Sequence, residues 1–311
     1  MLPRGSGKPV PARGGFGGQE SIALGAAKPT SLPTWAKVAL SRLSVPASTL
    51  HPVVTRLPNG LTLIVQTENV SNTVSVYGHI RNQPGLEEPH GEEGVGDLLD
   101  RMFMFGSRQL HRLQFQQALD AIGASEQAGT DFSLQVLPEN FDRGVQLLAE
   151  NELDPYLPAQ PMAVLRAQRA ASVAARNRSP GFLTRHSLRQ ALFPATDPSL
   201  RMATPASMGA LTPAEVLAYY HQVFRPDLTT IVVIGKVTPQ QVLSVIGKYF
   251  GSWKATGPKP STDLPPVPPD RPDVVAVPDS SRVQDIVVLA QTLPLTRSNP
   301  DYYPLELGNA V

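Results

Sequence analysis

The chain has 311 residues, a formal net charge of +1, 41% hydrophobic and 17% charged residues, and no cysteine. That length and balance suit one large or two modest globular domains. The near-neutral charge excludes a general attraction to nucleic acid or anionic lipid, and the missing thiols exclude disulfides, thiolate nucleophiles and Cys-ligated zinc or iron–sulfur sites.

Residues 1–49 are rich in Gly, Pro, Ala, Ser and basic residues with one acid, Glu20, and are expected to form a flexible arm or linker. Their Pro and Gly density argues against an amphipathic transit helix, and they lack the apolar core of a secretory signal. No apolar run reaches the roughly 18 residues of a membrane helix. The compartment, periplasmic or cytoplasmic, is left to sequence upstream.

Pro58-Asn59-Gly60 is a turn signal, followed by alternation at Leu61, Leu63 and Val65; a second alternating run spans Thr73 to Ile80. Their short connection predicts an antiparallel hairpin or meander. Arg81 to Glu93 reads as a polar loop. It leads to Gly94–Ser107, where Val95, Leu98, Leu99, Met102 and Phe103 form one apolar helical stripe. A second helix runs from Leu110 to Ile122, with Gly123 placed for a C-cap. Ala128 to Leu137 alternates as a strand, and Pro138-Glu139 opens a helix through Val145 and Leu148. Two further helices are expected at Met162–Ala175 and Phe182–Phe193. Thr212 and Thr238 each begin a capping box with proline at the first helical position. The apolar run Thr229–Gly235 between them reads as a strand covered on both faces.

Residues 254–272 hold seven prolines and read as a stiff, extended linker. Strands at Val274–Val277 and Asp285–Ala290 and a helix from Asp301 then repeat the order in which the first domain begins. The expected organisation is an arm at 1–49, a domain at 50–253, the linker at 254–272, and a truncated second copy at 273–311. The fold class is α+β, a several-stranded, largely antiparallel or mixed sheet with helices packed on it.

Opposite the apolar stripe of the Gly94–Ser107 helix, Asp97, Asp100 and Arg101 share one patch. The plain account is an Asp97–Arg101 ion pair, worth ~0.2–0.5 kcal/mol on an exposed helix. A calcium or magnesium site would need more oxygen ligands than two aspartates beside an arginine offer. The six histidines, His51, His79, His90, His111, His186 and His221, are scattered singly; His221 is expected to be a partly buried packing residue. Arg166, Arg169, Arg176, Arg178, Arg185 and Arg189 lie in a stretch without acids, which reads first as a solvated helix face and second as a basic wall facing an acidic peptide or partner subunit.

Several pieces in fixed order resemble the insulinase/pitrilysin peptidases, which include mitochondrial processing peptidase. They are Leu57-Pro58-Asn59-Gly60-Leu61, the Gly94–Gly106 helix, Ile122-Gly123-Ala124-Ser125 leading into Thr130-Asp131-Phe132, Arg225-Pro226-Asp227, Val233-Ile234-Gly235-Lys236-Val237 and Lys248-Tyr249-Phe250-Gly251. Asn299-Pro300-Asp301-Tyr302-Tyr303-Pro304-Leu305 is similar to the entry of that family's second domain. The resemblance implies a helix bearing His-x-x-Glu-His, two histidines binding zinc and a glutamate activating water, with a third ligand from a downstream glutamate. Here those positions are Asp97, Asp100 and Arg101, and arginine cannot ligate zinc. No Asp or Glu occurs between Asp154 and Asp197 to replace the third ligand, so no catalytic residue, metal or cofactor is expected.

The family also captures substrate on a sheet edge by main-chain pairing, near an Asn-Ala step. Gln127-Ala128 stands at that step, which makes Gln127, Ala128, Gly129 and Thr130 candidates for peptide binding by strand addition without hydrolysis. The function so implied is the inactive half of a metallopeptidase clamshell, whose partners are an active insulinase-family half and unstructured peptides, with neither nucleic acid nor membrane. The alternatives are a stand-alone peptide-binding or scaffold protein and, against the motif, an active zinc metallopeptidase with rearranged ligands.

Overall fold

A computed structural model describes residues 31–44, 48–278, 287–297 and 299–309. The first 30 residues of the expected arm lie outside the described ones; within the rest of it a short helix, α1 (Thr34–Ser41), forms with no buried side chain. The described residues up to 49 form a unit separate from those that begin at Leu50, and the account below concerns the second.

In chain order its elements are β1 (Val53–Arg56), β2 (Thr62–Thr67), β3 (Val74–Ile80), α2 (Pro84–Glu87), α3 (Val95–Met102), α4 (Arg112–Asp120), β4 (Ser125–Gln127), β5 (Asp131–Val136), α5 (Phe141–Leu153) and α6 (Ala159–Arg176). Then follow α7 (Pro180–Leu192), α8 (Pro205–Ala210), α9 (Pro213–Val223), β6 (Thr229–Gly235), α10 (Pro239–Phe250) and α11 (Tyr302–Asn309). The fold is α+β, as expected. Among the described residues no helix is long and apolar enough to cross a membrane.

The six strands form one mixed sheet in the order β1-β2-β6-β3-β5-β4. The alternating runs at Leu61 and Thr73 are strands, but they do not pair with each other. β6 lies between them, parallel to β2 and antiparallel to β3. Alternation marks a strand and its buried face; it carries no information about which distant strand will slot in beside it. The hairpin actually made by Pro58-Asn59-Gly60 joins β2 to β1, a strand inside the expected domain that no alternation marks. The turn closes with Leu57 N–H donating to Leu61 O at 2.8 Å, and the Asn59 amide reaches Phe250 O at 2.8 Å, so the turn also clasps the end of α10.

One sheet face carries the helices. Leu63, Val65, Val74, Val76, Ile80, Phe132, Leu134, Val136, Ile231 and Val233 are buried with Val95, Leu98, Leu99 and Met102 of α3, Val145 and Leu148 of α5, Val216 and Val223 of α9, and Val242, Ile246 and Phe250 of α10. The other face is open: Val54 is 64% exposed, Tyr77 53% and Ile234 38%. The expectation that β6 is covered on both faces is therefore corrected. Its apolar run follows from its central place in the sheet, where even outward positions such as Val232 are half-buried by neighbouring strands.

Further corrections are local. Within the expected polar loop 81–93, Pro84 starts the short helix α2, and Glu87 and Glu88 are buried. The strand expected over Ala128–Leu137 begins only at Asp131; Ala128–Thr130 is the turn between β4 and β5. Val274–Val277 and residues 287–290 carry no strand, having no partner strand among the described residues, and positions 285 and 286 lie outside them. Both predicted capping boxes form, and Thr204 makes a third at α8. The linker is anchored where it starts: Arg225, buried and paired with Asp227 at 2.8 Å, donates to the carbonyls of Thr256, Gly257 and Pro258. That pairing, aided by the neighbouring positive charges, holds the Asp227 carboxyl below its ordinary range.

Gly78 is required on the helix side of β3. A Cβ there would lie 1.9 Å from ring atoms of Phe132, the residue directly opposite on β5, whose ring stacks on Phe250. Gly78→Ala is expected to lower stability by about 1–3 kcal/mol through overpacking, read as a shift in the chemical denaturation midpoint. Gly78→Ala combined with Phe132→Leu should recover part of the loss if the ring is the obstacle.

Candidate functional site

Helix α3 starts where Glu88 lies across its N-terminus, accepting hydrogen bonds from Gly94 N–H at 2.9 Å and Gly96 N–H at 3.1 Å. A carboxylate satisfying the orphan amides of a first turn substitutes for a side-chain N-cap, which Gly94 cannot supply. Burial pushes the Glu88 carboxyl up from its ordinary value despite those two bonds. Beside it Arg201 pairs with Glu93 at 2.8 Å and donates to Gly85 O at 2.9 Å, which pins the approach to the helix.

The charged patch of α3 is then presented toward α6 and the β4–β5 turn. Asp97 pairs with Arg169 of α6 at 2.6 Å; the expected i,i+4 pair with Arg101 is also present but longer, at 3.5 Å. Asp100 does something else. Its Oδ1 accepts from Thr130 N–H at 2.9 Å and from the Thr130 hydroxyl at 3.0 Å, tying the helix to the turn. Burial is the main cause of the Asp100 carboxyl lying above its ordinary range, opposed by those bonds. Gly129, at φ +134°, lets the turn pass that close: a Cβ there would meet Asp100 Oδ1 at 3.0 Å.

These residues do not fit zinc. Zinc sites are built from thiolate, imidazole or carboxylate lone pairs, whereas the second histidine position holds a guanidinium with no lone pair to give. Both Asp97 oxygens face arginines, Asp100 Oδ1 is engaged by Thr130, and α6 contributes Arg169 to this patch. Two fixed positive charges stand beside the place a cation would occupy.

The four candidate peptide-binding residues divide. Gln127 ends β4 and is exposed, while Ala128, Gly129 and Thr130 are buried in the turn. Among the described residues β1 and β4 are the two edges of the sheet, and β4, Ser125–Gln127, is the edge that adjoins this turn, pairing on its inner side with β5. Beneath the turn, Gly129 N–H donates to Glu152 Oε2 at 3.0 Å, and the Asn151 amide donates to Glu126 Oε1 at 3.1 Å and to Phe103 O at 3.2 Å. Burial drives the Glu152 carboxyl well above its ordinary range and lifts Glu126 to about 8, against the lowering effect of the Asn151 bond.

Arg169, Glu126 and Glu152 were missed as members of this constellation. Glu152 left a signal: it falls on the α5 stripe of Phe141, Val145 and Leu148, where an apolar residue belongs. Of the basic stretch, Arg166 donates to Leu211 O, Arg169 pairs with Asp97, Arg176 lies over the Phe182 ring, and Arg189 bonds Ser199 O. Arg166, Arg169 and Arg189 are thus half-buried in contacts within the chain, while Arg176, Arg178 and Arg185 are exposed, as the first reading expects. His221 is exposed rather than partly buried, packed edge-on against Tyr220.

Residues 210–311 match the family model described as the peptidase M16 inactive domain. No curated protein matches the sequence. The fold is similar to that of the peptidase M16 inactive domain from Pseudomonas fluorescens, with TM-score 0.63 and 16% identity over 71% of this chain and 55% of that one. A protease from Helicobacter pylori gives TM-score 0.57 and 18% identity over 70% and 55%. The first half of the periplasmic protease PqqL from Escherichia coli gives 0.55 and 16% over 66% and 47%. The chain thus spans about half the length of these structures. The matched third of the chain and the shared fold agree with the resemblance read from the sequence, that of a degenerate insulinase-family member.

Proposed function

We propose that this chain is the non-catalytic half of a two-part M16-type peptidase, forming chamber wall and peptide-binding edge beside an active half. The reading is carried by the Asp97–Arg169–Arg101 cluster, in which ion pairing occupies the positions where the resemblance implies metal ligands. Support for peptide capture comes from β4, an edge strand among the described residues whose turn is held against α3 by Asp100. That the E. coli structure is described as the first half of a protease fits a division of one enzyme into halves. The second reading, a stand-alone peptide-binding or scaffold protein, is favoured by the same edge and differs only in lacking a peptidase partner.

Three outcomes separate these readings and the active-enzyme alternative. Purified alone after exposure to zinc, the chain should hold sub-stoichiometric metal by atomic absorption and leave an unstructured peptide uncleaved. Mixed with an active family half, it should raise that half's cleavage rate. Stoichiometric zinc with chelator-sensitive cleavage by the chain alone would overturn the non-catalytic assignment, and a partner rate unchanged by its addition would leave the scaffold reading in its place.

The edge should also depend on Asp100. Asp100→Ala leaves the Thr130 amide without its acceptor, at a cost of about 1–3 kcal/mol, and is expected to weaken binding of a fluorescent unstructured peptide in anisotropy titrations. Asp100→Asn keeps an acceptor oxygen and should preserve both stability and binding.

A further inference from the structure

Two carboxylic acids lie beneath the β4–β5 turn with no cation to balance them. Glu152, on α5, is fully buried; Glu126, on β4, points inward to Asn151. Among the described residues neither has a salt-bridge partner. The bonds they do make use only acceptor oxygens, Glu152 Oε2 from Gly129 N–H and Glu126 Oε1 from the Asn151 amide. A protonated carboxyl retains such an oxygen, so both contacts survive when the acids are neutral. Glu152 Oε1 is buried without a hydrogen-bond partner, which costs far more for half of a buried anion than for part of a neutral carboxyl.

The surroundings reinforce this. From α3 the Asp100 carboxyl faces Glu152, and Asp97 and Asp131 add like charge to Asp100; from β4 comes Glu126 itself. From α9 the Tyr220 hydroxyl donates to Glu152 O at 3.0 Å, with Asp154 and Arg108 acting on Tyr220 from further out. Arg108 is spent on Asp154 at 3.1 Å, and Arg101 and Arg169 on Asp97. Removing the protons from Glu126 and Glu152 would place two negative charges close together under three turn residues, with Asp100 adding like charge from the exposed side.

We propose that Glu126, held by Asn151, and Glu152, held by the Gly129 amide, form a proton-operated latch on the β4–β5 turn, closed at acidic pH and loosened as the pH rises. The turn carries the β4 edge, so the latch would regulate the peptide-binding surface proposed above and rests on that reading for its consequence. The sign follows from linkage. An opened turn returns each acid to its ordinary value of 4.5, while the closed turn keeps Glu126 protonated up to about 8. Closing therefore takes up protons between those limits, and each carboxyl makes opening about tenfold easier per pH unit across the window.

The test is hydrogen exchange on the full chain, following the Gly129 amide that bonds Glu152, with protection corrected for the intrinsic base-catalysed rate. Wild-type protection should fall by a factor of about ten per pH unit for each titrating acid, about a hundredfold where both titrate, from mildly acidic to mildly alkaline pH, ahead of core amides such as that of Val233. In Glu126→Gln/Glu152→Gln the fall should vanish, because the amides keep acceptor oxygens and do not titrate. Should the double variant not fold, Glu126→Gln alone must reduce the slope. A flat wild-type profile, or a slope kept in the glutamine variants, overturns the latch. No peptide enters this measurement: a peptide titration failing while the slope is present would count against the edge, not the latch.

Discussion

The Asp100 carboxylate, accepting two hydrogen bonds from Thr130, joins the helix that presents the charged patch to the turn that ends the sheet. Without it, the buried Thr130 amide would have no partner, and an unpaired buried donor is among the more expensive defects a small domain can carry. The contact also explains why Gly129 adopts a backbone conformation that other residues resist. The apolar stripe of α3 packs on the sheet beside this contact. The edge strand β4 is then held in register through its pairing with β5.

On that frame, the rest of the patch is a problem of charge. Arg101 and Arg169 each carry a fixed positive charge, and Asp97 sits between them with an oxygen facing each. All three side chains are partly exposed, so the pairs contribute little to stability, in the range of ~0–1 kcal/mol each. Their effect is on what the surface can hold. A divalent cation would meet repulsion from two guanidinium groups, whereas a peptide carbonyl or carboxylate would meet hydrogen-bond donors.

Legibility followed range. The α3 stripe, both capping boxes and the strand alternations depend on spacings of two to four residues, and all are legible in the sequence. Partner choice was not: β6 enters between β2 and β3 from more than a hundred residues away, and a pattern of alternation is the same whichever strand lies beside it. The site shows the same division. Asp97, Asp100 and Arg101 lie within one turn or so of one helix and were found together. Arg169 arrives from α6, and its role depends on a helix crossing that no local spacing encodes. Glu152 is the intermediate case, since its place on an apolar stripe was visible while its meaning depended on Gly129 and Glu126.

The two acid positions under the turn and the acid on α3 divide one task between them. Asp100 holds Thr130 from the helix side with an oxygen that accepts twice; Glu152 holds Gly129 from the α5 side with one that accepts once. Adjacent amides of a single turn are therefore fixed by carboxyls on two different helices, and the turn cannot lift from one without straining the other. A carboxyl near water can remain ionised, but a second and third in the same enclosed space are driven toward the neutral form. The buried pair thus follows from the demand that the turn be held from both sides where water is excluded. Sensitivity of the edge to pH is a consequence of supplying acceptors as side-chain acids where an amide or backbone carbonyl would not titrate.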